Sequence, residues 1–177
     1  MAKAPDPSRQ PRRAPVGASG MRLFAIAAAA VFALDQASKY LVLYGLGLLE
    51  RGVIEVARPF LVLRMGWNTG VNFGLLSHDA EVVRWGLVAL ALGISALVTR
   101  WVWAERERAA VALAGGILVG GALGNVVDRL VWGAVADFLN VSCCGIENPY
   151  VFNVADICIV AGALGLALFA GGRAKSA

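Results

Sequence analysis

The chain has 177 residues, 59% of them hydrophobic and only 16% charged, where a soluble domain carries about a quarter charged residues. That leaves too little polar surface to coat a water-soluble globule, and the length suits a single domain. The net charge of +4 forms no basic face, so nucleic acid is not an expected partner; the cations sit beside apolar runs, where they act as topology signals.

Residues 1–20 (MAKAPDPSRQPRRAPVGASG) are rich in Pro, Ala, Gly and Arg without apolar periodicity, and read as a disordered basic tail. The first apolar run, Met21 to Tyr44, meets the roughly 20 residues needed to cross a hydrocarbon core. A cleaved signal peptide fits less well, because the run exceeds a typical h-region and continues past Asp35 and Lys39. Further spans are expected at about 81–103, 109–130 and 150–170, with 171–177 as a short tail. Lys3, Arg9, Arg12, Arg13 and Arg22 flank the start of the first span; Arg100, Arg106 and Arg108 lie around the link between the second and third; Arg173 and Lys175 follow the fourth. Such an excess of cations marks the cytoplasmic side. The expected fold is an all-α membrane bundle of four transmembrane helices, both termini cytoplasmic, with residues 21–170 forming one domain.

Two loops then face outward. The longer, about Gly45 to Ala80, contains VIEVARPFLVLRMGWNTGVNFGLL, whose alternation, β-branched residues and glycines predict short strands and a small β element at the membrane surface. The second runs from about Val131 to Pro149 and holds Trp132, Gly133 and the adjacent Cys143 and Cys144. With Cys158, these cysteines make no metal or redox spacing.

Ionisable side chains inside a membrane cost at least about 2.5 kcal/mol each on the insertion scale, so they are functional candidates by default. Asp35 and Lys39 lie four residues apart on one helix face, close enough to neutralise one another. Counting about 1.5 Å per residue from Arg22 puts Asp35 about 20 Å into the core, in its outer third. The third span runs outward, so Asn125, Asp128 and Arg129 reach the outer boundary. Asn153 and Asp156 occupy the first turns of the fourth, and Asp137 lies in the loop just before it. Four segments thus deliver polar groups to one layer.

Carboxylates held close together share a proton. One can take a proton from water while the other polarises a scissile carbonyl, which is general acid–base hydrolysis. A nucleophilic route lacks a base, since the one histidine, His78, sits in an exposed-looking SHDAE segment. Zinc chemistry lacks ligands as well: there is a single His and no HExxH. Either Asp128 or Asp137 could partner Asp156. Asp128 directly precedes Arg129 and could be held in an ion pair with it, whereas Asp137 has no adjacent cation.

Four blocks occur in order: LDQASKYLV (34–42), NTGVNFGLL (68–76), GGALGNVVDRLVWGAVADFLNV (120–141) and FNVADICIV (152–160). Together they resemble the lipoprotein signal peptidases, or signal peptidase II, a bacterial family of aspartic membrane proteases, over about residues 22–170. The resemblance implies that Asp137 and Asp156 are the catalytic pair. It implies support of that pair or of substrate by Asp35, Lys39, Asn68, Gly70, Asn125, Asp128, Arg129 and Asn153. It further implies cleavage of diacylglyceryl-modified prolipoproteins before the lipidated cysteine, at the outer face of the cytoplasmic (inner) membrane, by a monomer in contact with membrane lipids and with no metal or organic cofactor. Val71 and Asn72 depart from the small residues frequent in the second block.

The main rival is a small proton-coupled transporter relaying through Asp35, Lys39, Asp128 and Asp156. The inner halves of spans two and four (GLVALALGISALVT and VAGALGLALFA) carry no ionisable group, which argues against a path. A non-catalytic scaffold would use GGILVGGALG for helix packing but has no need for convergent aspartates.

Overall fold

The computed structural model describes residues 16–70, 80–143 and 148–170. Residues 1–15 and 171–177 of the expected tails lie outside it, as do Val71, Asn72, His78 and Cys144. Helix α1 spans Val16–Tyr40 and passes through a π-helical turn, Leu41–Gly45, to a short α2, Leu48–Arg51. Strands β1 (Val53–Ala57) and β2 (Leu61–Asn68) follow, then α3 (Ala80–Ala104), α4 (Ala109–Trp132), β3 (Val135–Val141) and α5 (Val154–Ala170).

Among the described residues three helical stretches are long and apolar enough to cross a membrane: Ser19–Gly45, Glu81–Ala104 and Ala109–Trp132. At 17 residues, α5 is apolar but shorter. The first helix starts at Val16, five residues ahead of its expected start, and its Gly20 lies against the backbone carbonyl of Arg106 in the α3–α4 link.

α4 is the axis of the bundle and packs against α1, α5 and α3. Its small residues explain how. A Cβ on Gly120 would stand 2.5 Å from the Ala28 carbonyl oxygen of α1, and one on Gly121 would stand 2.6 Å from that of Ala155 in α5. Adjacent glycines therefore let two helices approach on two sides, the usual way membrane helices gain packing. Away from the sheet, Phe24, Val102, Val111, Leu118 and Leu166 form the apolar core. α3 is largely unpacked on its far side, with Val82, Trp85, Leu90 and Leu97 exposed.

The β element is larger than the first loop alone predicts. It is a three-stranded antiparallel sheet of order β1-β2-β3, and its third strand comes from the second loop. That strand was hard to read because VADFLNV is buried along nearly its whole length and shows no clean alternation. Ala136 and Phe138 pack with Val42, Leu43, Leu48 and Leu63 in a second apolar cluster. Strand side chains alternate faces, so Asp137 points away from that cluster. Its register partner is Gly66, and Asn68 pairs with Val135. A bridge from Leu139 to Phe152 ties the approach to α5 onto the same strand.

Candidate active site

The start of α5 is built by a reciprocal cap. Asn153 is the N-cap residue: its Oδ1 accepts the Asp156 amide at 2.9 Å, while its own amide donates to Asp156 Oδ2 at 3.2 Å. This is the geometry of a capping box with Asp at N3. A residue needed to begin the helix thereby fixes the orientation of Asp156. Another amide of that turn, on Ala155, donates to Asp35 Oδ1 at 3.0 Å.

Asn153 also joins the two candidate aspartates. Its Nδ2 donates to Asp137 Oδ1 at 2.6 Å and to Asn125 Oδ1 at 3.2 Å. The Nδ2 of Asn125 reaches Asp156 Oδ1 at 2.8 Å. The other Asp137 oxygen accepts Asn68 Nδ2 at 3.0 Å, and Asn68 Oδ1 holds the Gly70 amide at 2.9 Å. Gly70 has φ +81, a backbone region open to glycine and strained for other residues. Asp137 is 1% exposed and Asp156 partly so. Burial, and after it the negative charge of Asp156, push the Asp137 carboxyl up to about 6. Asn68, Asn153 and the Lys39 charge act in the opposite direction.

A second, deeper cluster lies beneath. Lys39 Nζ is 2.7 Å from both Asp35 Oδ2 and Asp128 Oδ2, and all three side chains are 0–1% exposed. The expected Asp35–Lys39 pair is present. The Asp128–Arg129 pair that adjacency allowed is not: Asp128 turns inward to Lys39, while Arg129 Nη1 donates to the Asn125 carbonyl at 3.3 Å. Neighbours in sequence on a helix do not face one another. Among the described residues Arg129 therefore borders the site with no carboxylate at salt-bridge distance, while still interacting electrostatically with Asp156 and Asp137.

Sequence reasoning passed over Gln36, though it stands inside the first block. Its Nε2 donates to Asp35 Oδ2 at 3.1 Å and to Asp128 Oδ1 at 3.2 Å. It also passed over Arg84, whose Nε and Nη2 cap the Arg129 and Leu130 carbonyls at the end of α4. No motif announces either contact. Among the described residues every buried polar side-chain atom has a partner, and no three His, Cys, Asp or Glu side chains are grouped to hold a metal.

Asp137 opens onto a cleft of about 180 Å³ between Gly66, Trp67 and Asn68 on one side and Pro149, Tyr150 and Val151 on the other. A larger hollow of about 360 Å³, on the outer edge of the sheet near Arg58, Arg64 and Asn148, contains neither aspartate.

Two aspartates joined through Asn153, one of them opening on a cleft, beside helices long enough for a bilayer, suit the class of membrane-embedded aspartic hydrolases. Comparison with known proteins narrows that class to one family. Residues 27–170 match the family model described as Signal peptidase (SPase) II. A lipoprotein signal peptidase of Rhodopseudomonas palustris (strain ATCC BAA-98 / CGA009) is 39% identical over 150 residues, covering 82% of this chain and 90% of that one. One from Methylorubrum extorquens (strain PA1) is 44% identical over 144 residues, covering 81% and 82%. A bacterial membrane enzyme solved by the in meso method at 2.3 Å resolution superimposes with a TM-score of 0.68 at 25% identity, covering 86% of this chain and 91% of that one. A second such structure, at 1.9 Å, gives a TM-score of 0.70 at 23% identity and shows the shared fold. The chain belongs to the signal peptidase II family: it is a bacterial membrane protein and an aspartic peptidase.

Proposed function

We propose that this peptidase removes the signal peptide from diacylglyceryl-modified prolipoproteins, cleaving before the lipidated cysteine with water activated by Asp137 and Asp156. The observation that carries the reading is the asparagine-bridged pair itself: a buried Asp137 with its carboxyl pushed up to about 6, joined through Asn153 to a partly exposed Asp156.

The chemistry follows from that asymmetry. Asp137 holds the shared proton and offers it to the scissile carbonyl oxygen. Asp156, at an α-helix N-terminus that favours negative charge, takes a proton from the attacking water. The tetrahedral gem-diol then collapses with the roles exchanged: Asp156 gives its proton to the leaving amine, Asp137 takes back the hydroxyl proton, and the pair returns to its starting state. Asn68, Gly70 and Arg129 border the substrate side. Asp35, Lys39, Asn125, Asp128 and Asn153 hold the pair from behind.

In this reading residues 21–170 form one peptidase domain that crosses the cytoplasmic membrane four times, α5 included, with both termini inside. The sheet and the dyad then lie at the outer leaflet. The diacylglyceryl chains of the substrate stay in lipid while its cleavage site enters the cleft beside Asp137. The enzyme works as a monomer, without metal or organic cofactor.

The test uses purified full-length protein in detergent and a synthetic diacylated prolipopeptide, with cleavage read by gel mobility. Asp137→Asn and Asp156→Asn should each lower turnover by roughly 10²–10⁴-fold, the range for lost acid–base catalysis, while remaining folded. Wild-type turnover in either variant would sink the assignment.

A further inference from the structure

The deeper cluster has a symmetry that the reaction itself does not require. Asp128 Oδ2 accepts the amide of Ala136 at 3.2 Å, and Ala136 immediately precedes Asp137. Asp35 Oδ1 accepts the amide of Ala155 at 3.0 Å, and Ala155 immediately precedes Asp156. Both alanines are 0% exposed. The same ammonium, Lys39 Nζ, lies 2.7 Å from each of those carboxylates, and Gln36 bridges them a second time.

β3 and α5 are separate elements that approach this point from different directions. Two backbone sites, each one residue before a dyad aspartate, are thus tied to a single cation through carboxylates from α1 and α4. We infer that Lys39 is a positioning residue which, acting through Asp35 and Asp128, sets the separation of Asp137 and Asp156 and so controls the rate of the chemical step. The inference rests on the dyad assignment above, and it is distinct from a general support role because it specifies the step affected. Asp35, Lys39 and Asp128 are buried and line none of the cleft beside Asp137. Loss of the cluster therefore appears in kcat, with KM for the lipopeptide held.

Lys39→Met alone leaves two buried carboxylates unpaired and endangers folding. The informative variant is the neutral triple Asp35→Asn/Lys39→Met/Asp128→Asn, because both asparagine oxygens can still accept the Ala155 and Ala136 amides. Gln36→Ala is the milder companion, removing only the second bridge. Full-length proteins are assayed in detergent with the synthetic diacylated prolipopeptide, and rates are normalised to folded protein by thermal unfolding. The triple variant should lose about 100-fold in kcat, the effect of displacing a catalytic group by about 1 Å, with KM within twofold of wild type. Gln36→Ala should lose a smaller part of kcat in the same pattern, and it decides the matter if the triple variant does not fold. A lowered unfolding temperature with wild-type kcat per folded molecule, or a raised KM at wild-type kcat, overturns the inference. Asp137→Asn is run alongside: if it cleaves, the dyad assignment has failed; if it is inactive while the folded triple variant turns over normally, only the positioning role has.

Discussion

Asn153 offers the sharpest test of how folding and chemistry are joined in this site. It is 0% exposed, caps α5 through Oδ1, and donates through Nδ2 to Asp137 and Asn125. Replacing it with Ala removes an N-cap, worth about 1 kcal/mol, and a hydrogen bond to a carboxylate, worth about 1.5–3 kcal/mol. The lost contact with Asn125 adds up to about 1 kcal/mol more. The sum is about 4 kcal/mol, which corresponds to a fall in unfolding temperature of roughly 8–16 °C for a chain of this size. Asn153→Ala also strips from Asp137 a bond that holds its carboxyl down, so the alkaline limb of kcat/KM should move to higher pH.

Asn153→Asp separates the two roles. Aspartate caps a helix as well as asparagine does, so the start of α5 survives. Its second oxygen, however, takes the place of an Nδ2 that stands 2.6 Å from Asp137 Oδ1, and two ionised carboxylates cannot share that spacing. The Asp variant should therefore be strongly destabilised at pH 7.5 and recover towards pH 5, where a shared proton rebuilds the bond. The Ala variant should show only the shallower gain on acidification that Asp137 itself gives, with no rebuilt bond. Thermal unfolding of the three proteins in detergent across that range is the assay. Equal pH profiles for the Ala and Asp variants would refute the idea that Asn153 serves Asp137 as well as the helix.

Three further expectations follow from the same geometry. Asp137 has its carboxyl raised from 3.8 to about 6 in the fold, so the folded state binds this proton more tightly than the unfolded chain. Its contribution to stability is full below about pH 4 and is lost as pH rises towards 6, about 3 kcal/mol in all at 1.36 kcal/mol per unit; subtracting the unfolding profile of Asp137→Asn should isolate that slope. Gly124→Ala places a Cβ 2.5 Å from Asp35 Oδ2, which Lys39 holds in place, and should destabilise by about 1–3 kcal/mol, whereas Gly86→Ala meets nothing within 4 Å and should stay within about 0.5 kcal/mol of wild type by thermal unfolding. Asn140 Nδ2 anchors the carbonyls of Asn148 and Tyr150 at 2.7 and 2.8 Å; Asn140→Ala should loosen the wall of the cleft and raise KM for the lipopeptide more than it lowers kcat.

Much of this site was legible in the sequence, because depth could be counted. Residues on helices of known direction fall at calculable heights, and Asp35, Asn125, Asp128, Asn153 and Asp156 were placed in one layer by counting alone; the structure joins them in one network. Charge at i and i+4 also foretold the contact of Asp35 with Lys39. Rotation about the helix axis was the harder quantity. Adjacency suggested Arg129 for Asp128, yet the side chain faces Lys39 a helix away. The third strand was hidden for a related reason, since VADFLNV is covered on both faces and so lacks the alternation by which half-buried strands are recognised. Contacts made by backbone amides, such as those of Ala136 and Ala155, leave no trace in side-chain patterns at all.

The division of labour within α4 shows why such a polar cluster can persist. Buried ion pairs are weak sources of stability, since desolvation can exceed the Coulombic gain. Packing of the bundle has other sources: Gly120 and Gly121 admit α1 and α5 at close range, and the clusters around Leu118 and Phe138 bury apolar surface. Gly124 stands one turn further along, where a Cβ would meet not a helix backbone but the Asp35 carboxylate. The packing face thus runs directly into the polar cluster, and the approach that glycine permits for packing is the same one that lets Asp35, on α1, reach the first turn of α5. Geometry at the dyad is then specified by hydrogen bonds whose net energy is small, because apolar contacts elsewhere already hold the helices together.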